Sequence, residues 1–117
     1  MVEGGYSTGH LRRKYLDMAN MSFAQSKYIT SKQYILSFVD TVKEGSKASD
    51  EIKAEFDKAV KIKNDRIDEI KKEASTLGYL ERNDFEKDAK MEAEVNAVHD
   101  MKEICWCIAD RNGLFND

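Results

Sequence analysis

The chain has 117 residues, of which 41% are hydrophobic and 35% charged, and its formal net charge is −3. It contains no proline, and three of its six glycines lie in the first nine residues. All-β and loop-rich folds normally use proline at edges and turns, so the composition argues against them and strongly favours one all-α domain. The charge is uneven: residues 1–43 carry +3 and residues 44–117 carry −6. This asymmetry suits an anionic partner, a contact between copies, or helices that neutralise each other within one fold.

No apolar run approaches the roughly 20 residues that a membrane-spanning helix needs. The N-terminal segment "MVEGGYSTGHLRR" lacks the apolar core of a signal peptide. The two cysteines are separated by a single residue and do not make a disulfide framework. We therefore expect a cytoplasmic protein with no membrane partner.

The first predicted element is a helix over about residues 9–44, which follows a flexible lead of residues 1–7. Its apolar residues are spaced by threes and fours, and four of them form a coiled-coil-like stripe with a spacing of seven: Met21, Tyr28, Ile35 and Val42. Thr30 and Gln33 resemble a capping box. We expect a single helix that bends near Thr30, and two helices hinged there are the alternative.

The second predicted helix covers about residues 49–77, with Ser49 as its N-cap and Gly78 as its stop. A capping-box pattern, Asn83 followed by Glu86, then predicts a third helix over about residues 84–112, and Gly113 ends it. Residues 8–117 would thus form one domain of three helices joined by short connections. Helices of about 30 residues span about 45 Å each, so the prediction is an elongated antiparallel three-helix bundle with coiled-coil character.

The cysteine pair and the histidines do not form a pattern typical of a reactive site. Residues two apart on a helix differ by about 200° in direction, so Cys105 and Cys107 cannot bind one metal while the helix is intact. Cys105 falls within the apolar stripe and is expected to be buried as a small hydrophobe. Neither His10 nor His99 belongs to a Glu-x-x-His pair. We predict no catalytic residue, no metal, no cofactor and no enzyme activity.

The one candidate surface is the basic, tyrosine-bearing part of the first predicted helix. Tyrosine and arginine are enriched in protein-binding hot spots, and cations beside aromatic rings also suit nucleic acids. Alternatively, the tyrosines pack at the bundle edge with their hydroxyls in water. Trp106 joins the candidates because it lies at the margin of its apolar stripe. The candidate partner-binding residues are Arg12, Arg13, Lys14, Tyr15, Lys27, Tyr28, Lys32, Tyr34 and Trp106.

The leading hypothesis is a non-enzymatic helical module for protein–protein interaction or assembly, such as a small accessory or inhibitory protein that docks on a larger machine. Self-association as a dimer or higher oligomer fits this hypothesis, because a long three-helix bundle has a thin core. The alternative is a weak nucleic-acid binder that uses the basic N-terminal helix, with salt-dependent retention of an oligonucleotide as its test.

Overall fold

The computed structural model describes residues 7–116 and is helical throughout, with short connections. Four helices occur in these residues: α1 (Thr8–Ala24), α2 (Tyr28–Asp40), α3 (Lys47–Ala74) and α4 (Tyr79–Arg111). The all-α prediction is confirmed, and the prediction of three helices is wrong. The principal extents are 60 × 28 × 17 Å, so the molecule is elongated. The predicted lead of residues 1–7 lies, except for Ser7, outside the described residues.

The preferred single helix over residues 9–44 is wrong. Two helices occur there, as in the alternative, but the break comes at residues 25–27 rather than near Thr30. Ser26 has φ +61°, in the left-handed region. Its N–H donates to the carbonyl of Phe23 at 2.9 Å, and the N–H of Lys27 donates to that of Ser22 at 2.8 Å. This is a Schellman ending with serine where glycine is usual. Without a glycine, the sequence pattern does not indicate the turn.

α2 folds back along α1 to make a helical hairpin. The buried hydroxyl of Ser31 donates to the carbonyl of Ala19 at 2.8 Å. This hydrogen bond joins α2 to α1 through two residues that are twelve positions apart in the chain. Ser31 is fully buried. A buried hydroxyl needs such a partner, so this small polar residue lets the two helices approach closely without an unsatisfied group.

The ends of the two long helices also differ from the prediction. α3 begins at Lys47, because Ser46 and not Ser49 is the N-cap and accepts the Ser49 N–H at 3.2 Å. α4 begins at Tyr79, so Gly78 is its N-cap rather than the stop of the preceding helix. The predicted capping box of Asn83 and Glu86 consequently lies inside α4.

The C-terminus of α4 agrees with the expected glycine stop. Gly113 has φ +66°, and the N–H of Leu114 donates to the carbonyl of Ala109 at 2.9 Å. The N–H of Gly113 donates to the carbonyl of Asp110 at 3.3 Å. These bonds form a second Schellman motif, this time with the usual glycine, and they turn residues 114–116 back toward the start of α1.

Contacts between the helices fix their directions. Ion pairs join Lys63 to Glu94 and Glu51 to Arg111, so α3 and α4 are antiparallel. α1 is antiparallel to α4, because Gly9 lies against Phe115 while the ring of Phe23 lies 5.7 Å from that of His99. α2, the second helix of the hairpin, is antiparallel to α1 and therefore runs parallel to α4.

The main core lies at one end of the molecule. It joins α1 and α2 to the first part of α3 and the second part of α4, and its twelve buried members are Leu16, Ala19, Ile35, Phe38, Val42, Ala48, Ile52, Val98, Met101, Cys105, Ile108 and Ala109. We call this four-helix part the bundle end. Beyond it, residues 60–74 of α3 and 79–94 of α4 continue as a two-helix extension, which we call the arm. Ile70 and Ala74 are fully buried within the arm.

Candidate protein-binding groove

A groove lies at the step where the α1–α2 hairpin ends and the arm begins. It has a volume of about 490 Å³. The first turns of α2 form one wall and the middle of α4 forms the other. Its lining is mainly apolar, and the residues are Tyr28, Ile29, Lys32, Met91, Glu94, Val95 and Val98. A concave, mostly apolar site with a few polar groups is the usual form of a binding site in proteins.

Large aliphatic side chains stand exposed on both walls. Ile29 of α2 is 79% exposed and Met91 of α4 is 57% exposed. Further exposed residues continue the same helix faces: Leu36 lies seven residues after Ile29, and Leu80 lies eleven residues before Met91. Seven and eleven residues are close to two and three full helical turns. The exposure thus follows two helix faces, which distinguishes it from the single scattered hydrophobes of ordinary surfaces.

The two walls differ in charge. Lys32 is exposed on the α2 wall, whereas Glu94 on the α4 wall forms an ion pair with Lys63 of α3 at 3.2 Å. The difference extends beyond the groove. Residues 8–40, the α1–α2 hairpin, hold five basic and two acidic residues, and residues 79–94 of the arm hold three basic and six acidic ones. A basic hairpin and the acidic α4 part of the arm therefore meet at the step, whereas residues 60–74 of α3 hold five basic and four acidic residues.

Arg12, a predicted partner-binding residue, is engaged within the fold. Its Nε donates to Oγ1 of Thr41 at 3.2 Å, its Nη2 donates to the Thr41 carbonyl at 2.8 Å, and its Nη1 donates to the Leu114 carbonyl at 3.2 Å. These acceptors lie at the C-terminal ends of α2 and α4, where helix dipoles favour a positive charge. The geometry gives Arg12 a structural role.

Trp106 and Arg13 lie near the same end of the molecule. The half-buried Trp106 packs against Phe115, with ring centroids 5.2 Å apart. The guanidinium of the exposed Arg13 lies 6.0 Å from the centroid of the same Phe115 ring. Trp106 therefore covers the end of the bundle together with the C-terminal segment. Lys14, the next predicted residue, is exposed.

The tyrosines are mostly part of the packing. Tyr15 and Tyr34 are half-buried and pack against the main core. Tyr28 makes an edge-on contact with Phe23, with ring centroids 5.2 Å apart, and its other side lines the groove. Lys27 is exposed as the N-cap of α2. Of the nine predicted residues, Tyr28 and Lys32 are the two that the structure places in the groove.

Apart from Tyr15 and Tyr34, which pack against the main core, the candidate residues form two groups. Arg12, Arg13 and Trp106 contact the C-terminal segment near the start of α1, while Lys27, Tyr28 and Lys32 follow its end. Lys27 lies beyond the end of α1, whereas the hydrogen bond from Ser31 to the Ala19 carbonyl brings Lys32 back to the middle of α1.

Sequence reasoning missed Ile29, Met91 and Val95, which give the groove its apolar character. In a continuous first helix, Ile29 would be one more residue beside an apolar stripe. The available signal is that Ile29 and Leu36 share a spacing of seven but lie outside the stripe that contains Tyr28 and Ile35. Large aliphatic residues off the buried face of a helix indicate a second contact surface.

The two thiols differ in exposure, and the prediction that Cys105 is buried is confirmed. Cys105 is fully buried, and burial raises the pKa of its thiol to about 12. Cys107 is exposed. Among residues 7–116, no group of three or more histidine, cysteine, aspartate or glutamate side chains is arranged to hold a metal ion.

Comparisons of the chain with protein-family models, curated proteins and solved structures give no match. In the part of the chain that the structure describes, no helix has both the length and the apolar character needed to cross a bilayer.

Proposed function

We propose that this protein is a non-enzymatic helical interaction module and that the groove between α2 and α4 receives a protein partner. The observation that carries this proposal is the exposure of Ile29 and Met91 on facing walls of one concave site. Covering two such side chains stabilises a complex by about 1.5–3 kcal/mol each, before the cost of association.

The form of the groove supports an α-helical partner. Both walls are helices, and an amphipathic helix placed between them presents apolar residues at spacings of three, four and seven. Lys32 and Glu94 at the walls would set the orientation of that helix through their opposite charges. A role as an accessory or inhibitory protein on a larger assembly is compatible with this arrangement.

Protein binding is better supported than nucleic-acid binding. The guanidinium of Arg12 is occupied by three internal hydrogen bonds, and Arg13 lies over an aromatic ring of its own chain. Binding to a phosphate backbone depends on several cations that can reach it together. Two members of the basic cluster at the start of α1, Arg12 and Arg13, are thus engaged within the fold.

A photo-crosslinking experiment tests the proposal. Benzoylphenylalanine at position 29 in the full chain, expressed in cells, is expected to form specific adducts with protein. The matched control is position 62, because Ile62 of α3 is 64% exposed and does not line the groove. Equal labelling from both positions, or none from position 29, would refute the groove as a binding site.

A further inference from the structure

We infer that the groove pairs with the groove of a second copy of this chain, so that two molecules associate about a two-fold axis at the step. This inference rests on the proposed function and names its partner. The shape of the molecule favours a second copy as the partner. The bundle end contains four helices and the arm two, so each molecule has a thick end and a thin end with the groove between them.

A two-fold axis through the groove, perpendicular to the long axis, places the arm of each copy beside the bundle end of the other. Each thin end then fills the space next to the other's thick end, and both grooves become buried at once. Such an isologous contact is closed and therefore limits assembly to a dimer. It also brings the exposed α2 face of one copy against the exposed α4 face of the other.

The distribution of charge also favours a second copy as the partner. The α1–α2 hairpin carries five basic and two acidic residues, and residues 79–94 of the arm carry three basic and six acidic ones. The two-fold arrangement sets the basic hairpin of each copy against the acidic α4 part of its partner's arm, twice. A second copy is therefore an occupant whose charge matches both walls, which steers association and fixes the register.

The helix directions give a specific register. α2 and α4 are parallel within one chain, so the two-fold axis makes α2 of one copy antiparallel to α4 of the other. If Ile29 of one copy lies beside Met91 of the second, Lys32, three residues further along α2, lies beside Asp88, three residues back along α4. Both residues are exposed in the single chain. The pairing thus combines an apolar contact with a flanking ion pair.

Sedimentation of the full chain over a range of concentrations tests this inference. We expect a reversible dimer for the natural sequence. Ile29→Asp should weaken dimerisation at least a hundredfold, whereas the matched Ile62→Asp variant should leave it unchanged. Circular dichroism checks that both variants remain helical, which is expected because both side chains are largely exposed.

A charge exchange tests the register. Lys32→Glu should weaken the dimer about tenfold or more, and the double variant Lys32→Glu with Asp88→Lys should recover most of that loss. Recovery of dimerisation in the double variant requires a second copy as the partner, because only a second copy carries the exchanged charge at position 88. A double variant no better than Lys32→Glu would overturn the register.

The outcome separates this inference from the proposed function. A natural sequence that stays monomeric at millimolar concentration overturns the pairing. If position 29 still crosslinks to another protein in that case, the interaction module stands with a different partner. If position 29 also gives no adduct, both proposals fail.

Discussion

Arg12 and Thr41 are joined by two hydrogen bonds, from Nε to the hydroxyl at 3.2 Å and from Nη2 to the backbone carbonyl at 2.8 Å. A third bond from the same guanidinium reaches the carbonyl of Leu114 at 3.2 Å. Arg12 comes from the start of α1, Thr41 is the C-cap of α2, and Leu114 follows α4. One cation thus ties together three helix ends, two of which carry the negative end of a helix dipole.

Replacing Arg12 by alanine should lower the free energy of unfolding by about 2–3 kcal/mol, because charged hydrogen bonds to partly buried carbonyls are lost. Chemical denaturation measures this change. Arg13→Ala is the matched control, since Arg13 is exposed and makes one distant contact with the Phe115 ring. Its expected loss is under about 1 kcal/mol. Equal effects of the two changes would contradict the structural role of Arg12.

Ser26→Gly should stabilise the protein by about 0.5–1 kcal/mol. Ser26 is exposed and has φ +61°, a conformation that costs an L-residue about 1 kcal/mol and costs glycine little. Part of the gain is lost because glycine makes the unfolded chain more flexible. Ser26→Val should be destabilising at the same site, since a β-branched residue tolerates this conformation poorly. Thermal unfolding of the two variants gives the comparison, and a loss of stability in the glycine variant would argue against the observed turn.

Gly9→Ala should disrupt the contact between α1 and the C-terminal segment. A Cβ at this position would lie 2.5 Å from the carbonyl oxygen of Phe115, a backbone atom that cannot rotate away. We expect a loss of about 1–3 kcal/mol and a red shift of Trp106 fluorescence, because Trp106 packs on Phe115. Gly78→Ser is the control: nothing lies within 4 Å of its Cβ, and the added hydroxyl can cap α4. Unchanged emission in Gly9→Ala would show that the segment adapts.

The two cysteines should differ in reactivity and in pH dependence. In a Cys107→Ser variant, the remaining thiol should resist alkylation until the protein unfolds, because Cys105 is fully buried. Burial raises the Cys105 pKa from 9.0 to about 12, so its thiol ionises at a lower pH in the unfolded chain. Its contribution to stability is therefore full below pH 9 and is lost as the pH rises toward 12. Measuring the free energy of unfolding of Cys105→Ala and of the natural sequence between pH 9 and pH 12 gives that contribution. Rapid alkylation of the folded Cys107→Ser variant would disprove the burial of Cys105.

Helical class and the approximate positions of the long helices were accessible from the sequence, because charge-rich faces, apolar spacing and Gly113 are local signals. The turn at Ser26 was not, because a serine in the left-handed conformation resembles any polar helix residue in the sequence. The capping-box pattern of Thr30 and Gln33 indicated a separate α2 only as an alternative and placed the hinge a few residues too late. The groove could not be predicted either, because it depends on Ile29 lying in the first turn of α2 beside Met91.

The candidate residues show the same limit. Arginine and tyrosine suggest a binding surface by their chemistry, but Arg12 meets the carbonyls of helix ends that lie 29 and 102 residues away. Such distant partners depend on tertiary arrangement, which residue spacing along one helix does not contain. Lys32 was selected for its charge, and its position on the groove wall follows from the same unpredicted turn.

The unequal number of neighbours along the molecule implies two levels of cooperativity. At the bundle end each helix is held by a core shared among four helices, whereas in the arm each helix has a single partner. Amide hydrogens near residues 75–78 should consequently exchange through local opening, at a free energy well below that of global unfolding. A partner that binds both the arm and the hairpin would then suppress this opening. Slower amide hydrogen exchange near residues 75–78, far from the groove, would therefore report binding.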